Sequence, residues 1–185
     1  MLKRTLNLLL GIIIFPICIA ASVSLYGQIN NIRALSYNER YFIFGIVAYL
    51  IVHAVFFKPA YLYILGHEFI HVLATWVLGG KVSSFKVSSQ GGKVTTNKSN
   101  IFIALAPYFF PIYTIFVVLA FFVTRYIIKA SLPHTIFFFL IGFTFAFHIV
   151  LTVDFLKMKQ TDLLHGGYFF SVCLIYIANI FIIGA

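Results

Sequence analysis

The chain has 185 residues, of which 62% are hydrophobic and only 9% charged. Ordinary globular domains carry about 25% charged residues, so a soluble domain with a polar shell is excluded and a bilayer must supply the apolar surroundings. The net charge of +9, from 13 basic and 4 acidic residues, is scattered between apolar runs with no basic stripe. That argues against a nucleic-acid partner and fits Lys and Arg flanking membrane segments against anionic lipid.

About 20 consecutive apolar residues span a bilayer as a helix. Six such runs are read in chain order: Leu6 to Tyr26, Tyr41 to Phe57, Ala60 to Leu78, Ile101 to Val123, Leu132 to Phe155, and Leu163 to Ile183. The first has Lys3 and Arg4 before it and Ala20-Ala21-Ser22 near its end, as a signal peptide would, but its apolar stretch is long and an uncleaved span is favoured. The second and third nearly touch. Pro59 disfavours helix at Lys58, so a tight turn is expected there. Cys18 and Cys173 lie inside apolar runs and read as small packing residues rather than a disulfide. With six spans the Lys and Arg residues fall on both sides. The larger set, Arg33, Arg40, Lys81, Lys86, Lys93, Lys98, Lys157 and Lys159, favours a cytoplasmic hairpin, while Lys3 and Arg4 argue the reverse. Orientation stays open.

One segment is polar. After a helix stop at Gly79-Gly80, residues 81–100 carry two alternating stretches, Val82 to Val87 and Lys93 to Thr96, on either side of Gln90-Gly91-Gly92. That pattern predicts a β-hairpin with a Gly-Gly turn. The expected fold is an all-α membrane domain over residues 1–185, about six transmembrane helices with a short hairpin after the third. Residues 1–59 form two N-terminal spans and 60–185 the core.

The chemistry lies in the third run, where residues 67–71 read His-Glu-Phe-Ile-His. Residues i and i+4 share a helix face, so His67 and His71 can grip one metal ion. Glu68 is close to that ion but off the ligand line, placed to take a proton from an activated water as general base. Ionisable groups at membrane depth cost several kcal/mol unless paired or liganded. Three within five residues point to a cation, against the alternative of two packed histidines and a stray glutamate.

Catalytic zinc usually takes three protein ligands. No Glu follows Glu68, and Val77 stands where an extended motif would place a third His. Asp162, opening the sixth run, is favoured as third ligand over Asp154, then His148; His134 and His165 sit at span edges, and His53 is a lesser candidate to hydrogen-bond the site. Asp162 also reads as a carboxylate at a helix N-terminus, and Asp154 as a partner for Lys157 or Lys159.

With these residues in view, the chain resembles the site-2 protease family of intramembrane zinc metalloproteases. The likeness rests on Gly66-His67-Glu68-Phe69-Ile70-His71, then Leu78-Gly79-Gly80-Lys81-Val82 and the hairpin. It continues through the Pro-containing span from Ala104 to Pro111 and an acidic residue on a later span, covering roughly residues 60–170. The Asp-Gly pair after Asn-Pro found in many members is absent; Gln160-Thr161-Asp162 is similar to the shorter form of compact relatives. The resemblance implies a Zn2+-dependent endopeptidase in the cell (plasma) membrane, cutting membrane protein or peptide substrates in or near the lipid bilayer. An extended substrate can add to a sheet edge, which makes Val87, Gly91 and Gly92 candidate substrate-binding residues. Two alternatives remain: a metal sensor or carrier, and a catalytically inactive homologue acting as a metal-binding or assembly factor.

Overall fold

The computed structural model describes residues 2–56, 58–130, 132–158 and 160–184, with side chains from residue 5 onward. The Lys3, Arg4 and Lys159 side chains, used above for topology, and Phe57 lie outside the described residues. The fold is mostly helical: α1 (Leu2–Asn30), α2 (Tyr37–Val55), α3 (Ala60–Val77), strands β1 (Val82–Ser88) and β2 (Gly91–Thr96), α4 (Ile101–Phe109), α5 (Ile112–Phe122), α6 (His134–Leu156), the single turn α7 (Thr161–Leu164) and α8 (Tyr168–Gly184).

Local chemistry sets the boundaries. Ser36 and Glu39 form a reciprocal capping box at the start of α2; the hydrogen bond from the Ser36 backbone holds the Glu39 carboxyl below its ordinary pKa. Asn100 caps α4 by accepting from the Ile103 N–H at 2.8 Å. Helix α3 stops at Gly79, whose φ of 69° suits a residue without Cβ, and the N–H of Gly80 closes back on the Thr75 carbonyl at 2.8 Å.

The expectation of six spans is met only in part. Among the described residues two helices are long and apolar enough to cross a membrane, Thr5–Asn30 and His134–Leu156. The fourth run is broken: α4 and the helix after it are bent by 65°, and counting the pair as one span gives three. Phe110 leaves the helix before Pro111, which disfavours helical backbone at that residue. Helices α2 and α3 fall short because Glu39 and Arg40 open one and His67, Glu68 and His71 interrupt the other. The sixth run divides at residues 165–167 into α7 and a shorter apolar helix, α8.

Among the described residues, three buried clusters hold the bundle. Tyr49, Tyr63, Ala146, Phe147 and Leu151 join α2, α3 and α6; Ile70, Ala74, Ile103, Ala106 and Ile112 join α3, α4 and α5; Leu105, Tyr108, Leu163 and Ile175 join α4, α7 and α8. Helices α2 and α6 approach backbone to backbone: a Cβ on Gly45 would fall on the Phe139 carbonyl, and one on Gly142 on the Phe42 carbonyl. On the far side α1 lies along α8. There Cys18 Sγ faces the Cys173 carbonyl at 3.7 Å and both cysteines are free thiols, as the packing reading expects. The rest of α1 turns Ile13, Val23 and other large apolar side chains outward, the surface a helix presents to lipid.

The hairpin is antiparallel, with Phe85 opposite Val94 and Val87 opposite Gly92. Its turn is Ser89-Gln90, and both glycines belong to β2. The Gly-Gly turn expected from the sequence is therefore corrected. Gly92 has a packing reason instead, because a Cβ there would run into the side chain of Glu68.

Candidate metal centre

Helix α3 is 18 residues long and buries Glu68, Ile70 and Ala74. Its helical spacing brings the rings of His67 and His71 to 4.9 Å between centroids. Gly66, one residue earlier, lets α5 close on it: a Cβ there would lie 2.8 Å from Ile112 Cγ2 and from Tyr113 Cε2. The third group comes from 91 to 95 residues away. Leu163 is fully buried among Leu105, Tyr108 and Ile175, and its carbonyl accepts from Ser171 Oγ at 3.0 Å. That anchor fixes the single turn of α7 and points Asp162 at α3.

Asp162 Oδ2 lies 3.4 Å from His67 Nε2 and 3.4 Å from His71 Nε2, and one ligand atom from each of the three residues falls within 4.8 Å of the others. The distances discriminate between arrangements. An N–H···O hydrogen bond centres near 2.9–3.0 Å. Two ligands about 2.0–2.1 Å from a tetrahedral zinc stand about 3.4 Å apart, whereas the right angles of an octahedral site bring them to about 3.0 Å. The two separations to the carboxylate oxygen, 3.4 Å each, are those of a tetrahedral edge, and the third lies within 4.8 Å. Two imidazoles and a carboxylate at these distances could hold a metal ion.

The surroundings orient these ligands. His71 Nδ1 donates to the Ile103 carbonyl at 2.9 Å. A carbonyl only accepts, so the proton is on Nδ1 and the Nε2 lone pair faces the site. That carbonyl is free because its helical donor would be the N–H of residue 107, and residue 107 is proline. Thr75 Oγ1 donates to the His71 carbonyl at 2.8 Å. Tyr108 Oη–H points at Asp162 Oδ2 from 3.5 Å. Ile103 and Tyr108 were not singled out from the sequence. The spacing of Pro107 four residues after Ile103 was the readable sign of the first; the second had none.

Glu68 is 8% exposed and sits on the hairpin side of α3. The methylene of Gly92 and the backbone of Val94 lie against its carboxylate. A cavity of about 470 Å3 opens over the centre, lined by His67, Glu68, His71 and Asp162, by Gly91 and Gly92, and by Lys93, Lys98 and His165. Val87 is across from Gly92 in register and does not line it.

The other ligand candidates are engaged elsewhere. Asp154 pairs with Lys58 at 2.7 Å, Lys157 at 2.9 Å and His53 Nε2 at 3.5 Å. This removes Asp154 from the ligand set and draws His53 away from the centre. His134 lies on Arg125 at 3.2 Å. His165 meets Ser99 Oγ at 3.3 Å on the cavity wall. His148 is buried behind the site, among the ligands' supports.

Comparison with family models, with curated proteins and with solved structures finds no match to this chain.

Proposed function

We propose that the chain is a zinc-dependent intramembrane endopeptidase of the site-2 protease type, a multi-pass protein of the cell membrane in which the six apolar runs lie within the bilayer. One observation above others supports this reading: two imidazoles of a His-Glu-x-x-His turn converge on a carboxylate from a distant helical turn, each ring nitrogen 3.4 Å from its oxygen, beside a buried glutamate.

His67, His71 and Asp162 would hold the ion. Zinc in that donor set supplies Lewis acidity to a carbonyl oxygen and to a water. The chain's own residues do the rest. Glu68, held by Gly92 and Val94, takes the proton from the attacking water and hands it to the amine nitrogen as the C–N bond breaks. Tyr108 and Ile103 keep Asp162 and His71 in place. The outer edge of β2 is unpaired among the described residues, and Gly91 to Val94 line the cavity. An extended substrate segment joining that edge would bring its carbonyl over the centre.

The test is zinc content and cleavage of a model transmembrane substrate, measured on the same purified samples. Glu68→Gln is expected to keep zinc and lose cleavage, and His67→Ala to lose both. Full cleavage by Glu68→Gln would refute the mechanism. A zinc-loaded wild type that cuts no membrane substrate would favour the inactive, metal-binding homologue.

A further inference from the structure

Behind the metal centre, on the side away from the cavity, two buried ring nitrogens have no hydrogen-bond partner among the described residues: His67 Nδ1 and His148 Nε2. Both residues line the same small void, of about 10 Å3, walled by Tyr63, Pro107, Tyr113 and Phe147. A void of that size accommodates about one water, provided it offers two to four polar partners. Pro107 contributes one acceptor, since residue 111, which would supply the helical N–H to its carbonyl, is also proline.

The donor and acceptor roles agree. With a metal ion at the centre, His67 Nε2, the nitrogen that faces Asp162, is the ligand atom, and the neutral ring then carries its proton on Nδ1, a donor in need of an acceptor. The His148 ring lies against the Tyr108 carbonyl and the Asn179 side chain, whose Oδ1 is also unpartnered among the described residues; both oxygens accept. Nε2 meets no partner among those residues, so the proton that serves these acceptors is on Nδ1 and Nε2 offers a lone pair. A ligand histidine nearly always gives its second N–H to a carboxylate, a carbonyl or a water. For His71 that acceptor is the Ile103 carbonyl, and for His67 direct protein contact supplies none among the described residues.

We infer that His148 is the positioning residue for the metal ligand His67, accepting its Nδ1–H through one water held in the void beside Pro107. The inference rests on the zinc reading of the centre. It extends that reading to α6, which otherwise gives the site only Phe155 on the cavity wall. His148 touches neither substrate nor ion; it fixes the tautomer and ring angle of His67.

The experiment measures zinc affinity of the full-length protein in detergent by competition with a chromophoric chelator. Thermal unfolding of the metal-free samples is followed alongside. His148→Gln, which keeps an acceptor, is expected to stay within about threefold of wild type. His148→Phe, which fills the space without one, is expected to bind about 10- to 100-fold more weakly while the metal-free melting temperature holds. Equal affinity in His148→Phe and wild type overturns the inference and leaves the zinc reading standing. A wild type that takes up no zinc overturns both. Should His148→Phe fail to fold, the Co2+-loaded wild type decides: two imidazole N–H signals protected from solvent exchange are expected, and one alone would overturn the inference.

Discussion

Gly92→Ala tests the placement of Glu68 without touching a ligand or the base itself. The added Cβ would overlap Glu68 Cγ and lie 2.7 Å from both Cδ and Oε1. Ordinary van der Waals contact begins near 3.4 Å, so the carboxylate must move by at least about 0.7 Å. Misplacing a catalytic group by about 1 Å can cost 10²-fold, or about 2.7 kcal/mol of barrier, and losing a general base altogether costs about 10²- to 10⁴-fold. The expected fall in kcat/KM is therefore about 10²-fold, with zinc content unchanged. Gly92 is exposed at the rim of the hairpin, so the fold should survive. The control is the same change in the Glu68→Gln background, where it should add little because both act through one group. Wild-type cleavage by Gly92→Ala would refute the idea that Glu68 must sit against β2 to work.

Pro107→Ala restores an N–H that competes for the Ile103 carbonyl; zinc binding should weaken by about tenfold while the melting temperature does not fall, since alanine suits a helix interior better than proline. Asp162→Ala should lose zinc by elemental analysis, whereas Asp154→Ala should keep it and lose only about 1 kcal/mol of stability from its partly exposed ion pairs; zinc retained by the first or lost by the second would reverse the ligand assignment. Gly142→Val places a side chain on the Phe42 backbone and should lower the melting temperature by overpacking of at least about 1–3 kcal/mol, while Gly27→Ala, with nothing within 4 Å, should not. Chelation followed by Zn2+ should abolish and restore cleavage, with Mg2+ ineffective because it prefers all-oxygen sites.

What could be read from the residues was what short-range spacing determines. His67, Glu68 and His71 lie within five positions of one helix, and helical geometry alone puts both rings on one face. The two strands were legible because alternation has a period of two. Some of what failed depended on groups far apart. The glycines at 91 and 92 read as a turn, yet Gly92 answers to a glutamate 24 positions earlier. A different failure was local: the run from Ile101 to Val123 read as one span although Pro111 lies within it, and the helix bends by 65° there. Choosing Asp162 over Asp154 could only be a preference, since both are lone carboxylates near apolar helix ends. The structure separates them through Lys58 and Lys157, which claim Asp154, and through Leu163, whose burial aims its neighbour inward.

The same distances weigh against two histidines packed for their own sake. With its proton on Nδ1, His71 turns a lone pair toward Asp162 Oδ2, and His67 turns its own Nε2 toward the same oxygen, each from 3.4 Å. With both rings neutral, His71 would set a lone pair against an anionic oxygen in a largely buried site, where electrostatic interactions are strong, while His67, whose Nδ1 has no partner among the described residues, can carry its proton on Nε2 and donate. Packing alone gives no reason for the His71 orientation, since that ring could reduce the conflict by turning an N–H toward the carboxylate. His71 is prevented from doing so by the Ile103 carbonyl, which Pro107 leaves without a helical donor. The proline, the carbonyl and the ring together hold open a position that only a cation or an added proton relieves. Of these, the cation also accounts for the convergence of all three side chains and for the glutamate beside them.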